Sequence, residues 1–268
     1  MISVVCVHNN KKILNDCLLK SLKNQTVNFQ LITLDSTEGK FRSAAQALNH
    51  GGEGAIGKYI MFVHQDVDLC SNTWLEESEK ILESISDLGI AGVAGMSVNK
   101  NSNGKRGRNI IKHGKSAKIW SFGTAIQKPE TVQTLDECLV IIPKSVFDML
   151  QFDENVCDNW HMYAVDYCLS VHEEGLGVYA IPMFIYHKST GATIKNRLKV
   201  VLSMGWLSHE YYQTLDKLLK KHKLHVKWIY TTVGDWNTSY PVAIQRIQKL
   251  AKRGMGYLMR RLLRNCKK

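Results

Sequence analysis

One stretch of the sequence constrains the fold more than any other: Lys58–Leu69, which reads Lys-Tyr-Ile-Met-Phe-Val-His-Gln-Asp-Val-Asp-Leu. An apolar run rich in β-branched and aromatic residues ends abruptly at a histidine, an amide and two carboxylates. A strand that is apolar throughout is typical of a parallel sheet covered by helices on both faces. In such sheets, ligands bind beyond the carboxyl ends of the strands. The stretch therefore predicts a buried strand followed by a functional polar cluster.

The residues before this stretch alternate between strand and helix patterns. The first four predicted elements are a strand, a helix, a strand and a helix at Ile2–Val7, Asn15–Asn24, Phe29–Leu34 and Phe41–Asn49. Gly51 and Gly52 are expected to end the second helix. A β-α-β-α-β order implies right-handed crossovers and a parallel sheet flanked by helices, hence an α/β fold.

Later segments extend this fold. Further strands are predicted at Gly89–Ser97, Cys138–Pro143 and Val178–Tyr186, and helices at Thr73–Asp87, Lys144–Leu150, His161–Glu174, Asn196–Lys223 and Pro241–Asn265. Lys100–Lys118 is rich in glycine, asparagine and basic residues without periodicity, which predicts a structureless surface loop of the kind that acts as a lid. Trp228–Tyr240 is also expected to be irregular.

Charge is unevenly distributed along the chain. The net charge is +11 over 268 residues, yet residues 195–268 alone hold 17 Lys and Arg against three acidic residues. A near-neutral body with a strongly basic end favours an anionic partner, either a membrane surface or nucleic acid. A solvated helical face is the alternative explanation.

Cysteine usage and hydropathy predict where in the cell the protein is located. The seven cysteines are an odd number without Cys-x-x-Cys spacing, which favours free thiols in a reducing cytoplasm over a disulfide framework or a zinc site. No apolar run approaches the ~18 residues of a membrane-spanning helix. The first residues run straight into a strand pattern, so no signal peptide is expected. A cytoplasmic protein is predicted, with peripheral attachment to the inner face of the cell membrane as an alternative.

The polar cluster after the central strand has the side chains of a divalent-metal site. Carboxylates such as Asp66 and Asp68 suit Mg²⁺ or Mn²⁺, above all when nucleotide phosphates complete the coordination. His187 also stands directly after an apolar strand, so it could share the same sheet edge. From the motifs alone, a polar turn explains the carboxylates equally well. For His187 considered alone, a packed histidine is the favoured explanation, but two such strand ends together favour the metal site.

Other motifs exclude several enzyme classes. The sequence lacks Gly-x-Gly-x-x-Gly after the first strand and lacks a Walker P-loop, which argues against dehydrogenases and P-loop NTPases. His-Glu-x-x-His and Gly-x-Ser-x-Gly are absent as well, so zincin and serine-hydrolase chemistry has no support.

A series of ordered segments across residues 1–191 resembles the family 2 type of nucleotide-sugar glycosyltransferases, which have the GT-A fold. The resemblance is to the bacterial branch whose metal motif reads His-Gln-Asp. The matching segments are Ser3–Asn10, Asp35–Ser36, Ala44–Asn49, Phe62–Val67, Leu135–Cys138, Phe152–Glu154, Trp160–Asp166 and His187–Gly191. The resemblance implies a GT-A-like, Rossmann-like catalytic domain over 1–191, and leaves 192–268 as a basic helical C-terminal extension.

The resemblance also implies roles for individual residues. The metal ligands would be Asp66 and His187, with Asp68 as a substitute, because His64 replaces the first aspartate of the Asp-x-Asp motif. Mn²⁺ or Mg²⁺ would be the cofactor. On the acceptor side would lie Asp136, Glu137 and Trp160. The residues implied to bind the nucleotide sugar are His8, Asn10, Asp35, Asn49, His64 and Gln65.

For the catalytic base, the resemblance leaves three candidates. Inverting family members use an aspartate at the start of the helix before Gly175, but that position is Ala164 here. The candidates are therefore Asp166, Asp158 and His161, in that order. Each could take a proton from an acceptor hydroxyl, and Asp158 could instead cap the helix.

The predicted function is transfer of a sugar from a nucleotide-diphosphate sugar to a hydroxyl of a glycan or lipid-linked acceptor, inverting and metal-dependent, in cell-surface polysaccharide synthesis. Residues 241–268 mix leucine and isoleucine with arginine and lysine, which predicts contact with an anionic membrane or packing on the catalytic domain. The alternatives are a nucleotidyltransferase acting on sugar phosphates and a basic nucleic-acid-binding protein. Nucleic acid is not expected, because 241–268 contains only one aromatic residue for base stacking, Tyr257.

Overall fold

The structure is a computed structural model that describes residues 1–114, 120–189 and 207–251. Its strands are β1 (Ile2–His8), β2 (Phe29–Asp35), β3 (Tyr59–Val63), β4 (Val67–Asp68), β5 (Leu88–Gly92), β6 (Gly95–Met96), β7 (Gly107–Arg108), β8 (Ile111–His113), β9 (Trp120–Phe122), β10 (Glu130–Thr131), β11 (Thr134–Leu135), β12 (Leu139–Pro143), β13 (Gly177–Ala180), β14 (Tyr186–His187), β15 (Trp228–Thr231) and β16 (Gly234–Asn237). Its helices are α1 (Lys11–Leu14), which continues through a π-helical turn (Asn15–Leu19) into α2 (Lys20–Leu22), then α3 (Ala44–Glu53), α4 (Trp74–Glu83), α5 (Lys144–Met149), α6 (Tyr163–Glu173), α7 (His209–His222) and α8 (242–251).

Seven strands form the main sheet, in the order β10-β13-β5-β12-β3-β1-β2. β1 pairs in parallel with β2 and with β3, and β13 pairs in parallel with β5. β12 runs antiparallel between β3 and β5, and β10 runs antiparallel to β13. The predicted α/β fold with a mostly parallel, helix-flanked sheet is confirmed.

The central strand β3 is buried on both faces, as its uniformly apolar sequence predicts. Met61 and Val63 join one hydrophobic cluster, while Ile60 and Phe62 join a second cluster across the sheet. Alternate side chains of a strand point to opposite faces, so each face needs its own covering layer. The strand ends at Val63, and His64 is therefore the first residue beyond the core.

Helix α3 corrects one prediction. Gly51 and Gly52 do not end this helix, because it continues to Glu53. A Cβ atom at Gly52 would lie 2.3 Å from Cζ of Phe147 in α5, so the glycine lets the two helices approach closely. The small side chain serves packing here, whereas Gly175 does follow α6 with a left-handed φ of 74°.

Two segments expected to be irregular contain strands. Within Lys100–Lys118, β7 pairs with β6 and β8 pairs with β14 and β9, while 115–118 lie outside the described residues. Trp228–Tyr240 contains the hairpin of β15 and β16. These strands are short and lack clear alternation, so their pairing depends on distant partners that local sequence does not show.

The C-terminal helices follow their predicted periodicity where they are described. α7 and α8 fall within the predicted ranges, while 196–206 and 252–265 lie outside the described residues. α7 packs on α6 in a third hydrophobic cluster that includes Val165, Leu169, Leu215 and Leu219. Among the helices that are described, none combines the length and apolar character needed to cross a membrane.

Candidate active site

Three strand ends meet at one edge of the main sheet. His8 at the end of β1 lies in register with Asp35 at the end of β2, and His64 directly follows β3. The Asp35 carboxylate accepts hydrogen bonds from the hydroxyl of Thr37 at 2.6 Å and from its backbone N–H at 2.9 Å. These bonds hold the pKa of Asp35 below its ordinary value, so an exposed negative charge stands at this edge.

Three amide side chains predicted to bind the donor also brace this edge. Oε1 of Gln65 accepts hydrogen bonds from the backbone N–H groups of Asn9 at 3.2 Å and Asn10 at 3.0 Å. The Asn10 side chain caps α1. The Asn49 side chain exchanges two hydrogen bonds of 2.9 Å with the backbone of Phe152. Gln65, Asn10 and Asn49 therefore hold the loops around the candidate site in place.

A small second sheet brings His187 to the same edge. β14 pairs antiparallel with β4 and in parallel with β8, which sets His187 opposite Val67 on one side and His113 on the other. The backbone N–H of Lys188 donates to the carbonyl of Asp66 at 2.8 Å. The two separate strand ends noticed in the sequence are thus held together by backbone pairing.

His64, Asp66 and His187 form a compact donor cluster. Nε2 of His187 lies 3.2 Å from Oδ1 of Asp66 and 3.5 Å from Nδ1 of His64. One donor atom from each residue falls within 4.8 Å of the others. Neighbouring ligands of an octahedral ion with bonds of about 2.1 Å lie about 3 Å apart, so this set fits a divalent cation after small shifts.

The charge states of this cluster suit metal binding. Burial, and the nearby His187, lower the pKa of His64 to about 4, so its imidazole is neutral near pH 7. Burial opposes ionisation of Asp66, but its hydrogen bond with His187 and the nearby imidazoles prevail and lower its pKa. A neutral imidazole and an ionised carboxylate are the forms that bind metal.

Asp68, the predicted substitute ligand, contacts other partners. Its carboxylate accepts from Nζ of Lys188 at 2.9 Å and from the backbone N–H of Cys70 at 3.0 Å. Within the described ranges, neither donor cluster that could hold a metal includes Asp68. The structure therefore brings Asp66 and His187 together and places Asp68 beside them in an ion pair.

A second group of donor atoms shares His187 but suits a metal less well. Asp136 and Cys138 each offer an atom within 4.8 Å of the others in this group. Burial raises the pKa of the Cys138 thiol well above its ordinary value, so it stays protonated. The Asp136 carboxylate accepts from the Cys138 backbone N–H at 3.1 Å and from the Thr232 hydroxyl at 2.9 Å. The cluster of His64, Asp66 and His187 is the better metal candidate.

A pocket opens beside this cluster between the ends of β1 and β3 and the start of α6. Trp160 lies at the pocket, where its side chain is 41% exposed and could stack on a sugar or base. The residues lining the pocket are Val7, Ala44, Leu48, Phe62, Val63, His64, Trp160 and Tyr163. This mostly apolar and aromatic lining suits the apolar face of a ring.

Two residues at the site were not predicted from the sequence, His113 and Tyr163. The His113 ring lies 5.2 Å from the His187 ring, centroid to centroid. The Tyr163 hydroxyl lies 3.0 Å from Nε2 of His64. His113 follows only two apolar residues and a lysine, so no local pattern indicates it. No local pattern distinguishes Tyr163 from an ordinary aromatic residue at the start of a helix.

Comparison with known proteins identifies the family of this chain. The sequence model of a glycosyltransferase-like family matches residues 3–201, which is most of the chain. The chain belongs to this family. No curated protein matches the sequence.

Solved structures support the same fold for this glycosyltransferase. The mannosyltransferase PcManGT from Pyrobaculum calidifontis, in complex with GDP-Man and Mn²⁺, is 12% identical with a TM-score of 0.53, and the match covers 84% of this chain and 65% of that one. S. aureus TarS 1–349 with UDP-GlcNAc is 13% identical with a TM-score of 0.50, covering 84% and 73%. A structure of GalNAc-T7 with UDP, GalNAc and Mn²⁺ is 12% identical with a TM-score of 0.49, covering 70% and 43%.

These likenesses concern the fold alone. The glycosyltransferase described here spans less than two thirds of the mannosyltransferase and of GalNAc-T7. The comparisons confirm the predicted GT-A fold and the predicted enzyme class. They lend no support to a nucleotidyltransferase or a nucleic-acid-binding protein.

In this glycosyltransferase, the three candidate bases all contact α7 or the residue before it. Asp166 is only 2% exposed, and its carboxylate lies 2.8 Å from Nζ of Lys221 and 2.9 Å from Nε2 of His222. The structure thus places Asp166 between two helices, away from solvent.

The other two candidates are more accessible. The Asp158 carboxylate forms an ion pair with Lys217 at 2.6 Å. Nε2 of His161 lies 3.1 Å from the hydroxyl of Ser208, which caps α7. Burial lowers the pKa of His161, so this imidazole is neutral and has a lone pair to accept a proton.

On the predicted acceptor side, Glu137 is the most perturbed group. Burial, and the charge of Asp136, raise the pKa of Glu137 to about 8. The backbone N–H groups of Met162, Tyr163 and Ala164 at the start of α6 face this carboxyl and act against the rise, while its Oε1 has no hydrogen-bond partner among the described residues. Glu137 therefore lies buried beside the start of α6.

Proposed function

We propose that the protein transfers a sugar from a nucleotide-diphosphate sugar to a hydroxyl of a glycan or lipid-linked acceptor, with inversion, in cell-surface polysaccharide synthesis. The observation that carries the proposal is the cluster of His64, Asp66 and His187 at the strand-end edge of a GT-A-type sheet. Ligands of open α/β sheets bind at this edge. The solved structures of similar fold in complex with GDP-Man and Mn²⁺ or with UDP-GlcNAc are consistent with such a donor.

A divalent cation would be held by Asp66, His187 and His64. When bound, it neutralises charge that develops on the leaving nucleoside diphosphate. The two imidazoles favour Mn²⁺ over Mg²⁺, because Mg²⁺ prefers oxygen ligands throughout. Asp35 and His8 stand where the nucleoside would lie, and Trp160 offers a ring face for a sugar.

For the base, we propose the reverse of the order expected from the sequence. We favour His161, whose competing contact is a hydrogen bond to Ser208, over Asp158 in its ion pair and over buried Asp166. The base would remove the acceptor proton as the hydroxyl attacks the anomeric carbon. His161→Gln should lower the rate of transfer about 10²-fold or more with donor affinity unchanged, because general base catalysis contributes this much.

A thermal-shift screen tests the donor and metal assignments. UDP-, dTDP- and GDP-sugars are added with and without Mn²⁺, and a bound donor raises the melting temperature because it binds only the folded state. We expect one nucleotide class to stabilise the protein and Mn²⁺ to enlarge the shift. Asp66→Ala should keep its own melting temperature but lose both the Mn²⁺-dependent shift and sugar transfer. If no nucleotide sugar stabilises the wild type, the donor proposal fails.

An anionic membrane is the partner we propose for the C-terminal part. Along α8, Val242 and Gln245 are buried, whereas Ile244 is 45% and Ile247 61% exposed. At 100° per residue, 242, 245, 246 and 249 share one side of the helix and 244, 247, 248 and 251 share the other. The helix therefore turns Ile244, Ile247 and Ala251 to solvent, with Gln248 as the polar residue among them.

The cationic side chains of α8 lie against the protein body. The Arg246 guanidinium stacks on the Tyr212 ring at 3.8 Å, and the Lys249 ammonium lies 3.3 Å from the centroid of Trp236. Residues 252–268 then add seven Lys and Arg and no acidic residue. An outward apolar face followed by a basic segment suits an anionic bilayer, which contributes both acyl chains and negative headgroups.

Flotation with phosphatidylglycerol vesicles tests the membrane proposal. Wild type should float with these vesicles and remain at the bottom with pure phosphatidylcholine. Ile244→Glu/Ile247→Glu should lose flotation, whereas Ile56→Glu/Met149→Glu, which makes the same charge change at exposed sites elsewhere, should retain it. Equal flotation of both variants, or none for the wild type, would refute this role.

A further inference from the structure

The Tyr163 hydroxyl joins the metal candidate cluster to the start of α6. It donates a hydrogen bond to the backbone carbonyl of Glu137 at 3.2 Å and lies 3.0 Å from Nε2 of His64. A carbonyl only accepts hydrogen bonds, so the single hydroxyl proton is used there. Both bonds form together only if His64 donates from Nε2 to the tyrosine oxygen.

This arrangement determines which nitrogen of His64 is available. A neutral imidazole with its proton on Nε2 carries a lone pair on Nδ1. Nδ1 is the atom that faces Nε2 of His187 at 3.5 Å, on the side where Asp66 also lies. The partner of one ring nitrogen thus decides whether the other can bind a metal.

We propose that Tyr163 is a positioning residue that fixes His64 in the Nε2–H tautomer, so that Nδ1 coordinates the divalent cation directly. The inference rests on the proposed metal-dependent function. His64 would then be a ligand, and the first position of the His-Gln-Asp motif would bind the metal through nitrogen.

Tyr163 is held firmly enough to impose this tautomer. It is the first residue of α6, its side chain is buried, and its ring packs edge-on against Phe152 with centroids 5.8 Å apart. The preceding residue, Met162, has a left-handed φ of 69°, which turns the chain into the helix. The buried Glu137 side chain faces the first N–H groups of α6. The backbone carbonyl of the same residue accepts the tyrosine hydrogen bond.

The proposal predicts a dependence on the residue at position 64. An ionised aspartate has no tautomers. It can therefore offer an oxygen to the metal whether or not Tyr163 forms a hydrogen bond with it. Tyr163 should therefore matter for metal affinity when position 64 is histidine and should matter little when it is aspartate.

Manganese titration of the full chain by electron paramagnetic resonance tests this dependence. Tyr163→Phe should weaken Mn²⁺ binding about 10- to 100-fold, the usual effect of losing an outer-shell partner. Tyr167→Phe is the matched control, because its buried hydroxyl donates to the Leu150 carbonyl at 2.8 Å one helical turn later and does not contact His64. In a His64→Asp background, adding Tyr163→Phe should change Mn²⁺ affinity less than threefold.

Nitrogen-15 NMR of the histidine side chains supplies a readout independent of activity. His64 should show the Nε2–H pattern in the metal-free wild type and lose it in Tyr163→Phe. If the variant binds Mn²⁺ as tightly as the wild type, the positioning role is refuted while the metal-dependent function stands. If the wild type binds no Mn²⁺, both the inference and the proposed metal dependence are wrong. An Nδ1–H pattern in the wild type overturns the inference alone.

Discussion

Asp66 and Asp68 carry the same side chain two positions apart, but they contact different partners. Asp66 lies 3.2 Å from His187, whereas Asp68 pairs with Lys188 at 2.9 Å. Asp66→Asn should lower Mn²⁺ affinity at least about 10-fold, since a neutral amide is a weak substitute for a ligating carboxylate. Asp68→Asn should leave Mn²⁺ affinity within about threefold and cost about 0.5–1 kcal/mol of folding free energy, the usual range for a partly exposed ion pair.

Calorimetric Mn²⁺ titration and urea unfolding measure the two effects separately. Asp66→Asn should keep the unfolding midpoint close to wild type, which shows that lost affinity does not come from lost structure. A loss of Mn²⁺ affinity in Asp68→Asn equal to that in Asp66→Asn would make Asp68 a ligand and contradict the assignment.

Glu137 gives the folded protein a dependence on pH. Its folded pKa is about 8, whereas an unfolded glutamate titrates near about 4.3. The folded form therefore retains a proton that the unfolded form releases, so this contribution to stability is complete below about pH 4.3 and is lost as pH rises through about 8. Glu137→Gln stays neutral at every pH and should melt higher than the wild type at pH 8.5.

The difference between Glu137→Gln and wild type should shrink as the pH falls. Melting temperatures at pH 4.5, 6.5 and 8.5 reveal this trend, while titrations elsewhere in the chain affect both proteins alike. A constant difference across this range would show that the Glu137 carboxyl ionises normally in the folded protein.

At the scale of elements, α6 and α7 are joined by a buried charge network. His222 is fully buried, with Nδ1 2.6 Å from Glu173 and Nε2 2.9 Å from Asp166. Removing His222 takes a hydrogen bond from each carboxylate, while Asp166 keeps its ion pair with Lys221, and a hydrogen bond to a charged group contributes about 1.5–3 kcal/mol. His222→Ala should therefore lower the free energy of unfolding by about this amount, as measured by urea denaturation.

An exposed ion pair on the same helix provides the control. Lys220 pairs with Asp216 at 2.6 Å, and the lysine side chain is 73% exposed. Lys220→Ala should change the free energy of unfolding by less than about 1 kcal/mol. Equal effects of the two substitutions would mean that the buried network contributes nothing beyond helix propensity.

Asp166 shows why sequence predicts some site residues and not others. In the sequence it is an acidic residue near the start of a helix, where inverting members of the family carry the catalytic base. Its role in the structure depends on His222, which lies 56 positions away in the sequence and reaches it only through helix packing. The proximity of Asp66 and His187 was predictable because each lies just after an apolar run, although a small second sheet, and not the main sheet, brings His187 to Asp66. Tyr163 and Asp166 have no comparable local signal.

Helices and strands, like single residues, are predictable where the local sequence carries a clear signal. β1, β2 and β3 have long apolar or alternating patterns, and they occur where the sequence predicts them. β8, with three residues, forms only because β14 and β9 provide backbone partners. Gly51 and Gly52 of α3 resemble a helix end in sequence, but close approach to Val5 and to Phe147 respectively explains them. Neither contact can be recognised from the local sequence.

At the scale of the whole molecule, residues 207–251 contribute to the packing of α6 and its neighbours. The Asn159 side chain donates to Thr214, and the Gln133 side chain donates to the carbonyl of Trp228 at 2.8 Å. Gln133 also accepts from the backbone N–H of Tyr230 at 2.8 Å. The division after residue 191 remains a prediction from sequence, and these contacts argue that the two parts unfold together.

A substitution at Leu218 tests whether the two parts of the chain unfold together. It is fully buried in the cluster that joins α7 to α6, and truncating a buried leucine costs about 2–5 kcal/mol. If the chain is one cooperative unit, Leu218→Ala should shift a single urea transition to lower concentration for every probe, including far-UV circular dichroism of the whole chain and Mn²⁺ binding at the sheet edge. Leu224→Ala, at a side chain 86% exposed just after α7, should leave the transition within about 0.5 kcal/mol of wild type. Loss of part of the dichroism at low urea with Mn²⁺ binding intact would instead make the basic C-terminal part a separately folding domain, because the metal candidate cluster would then persist without α7.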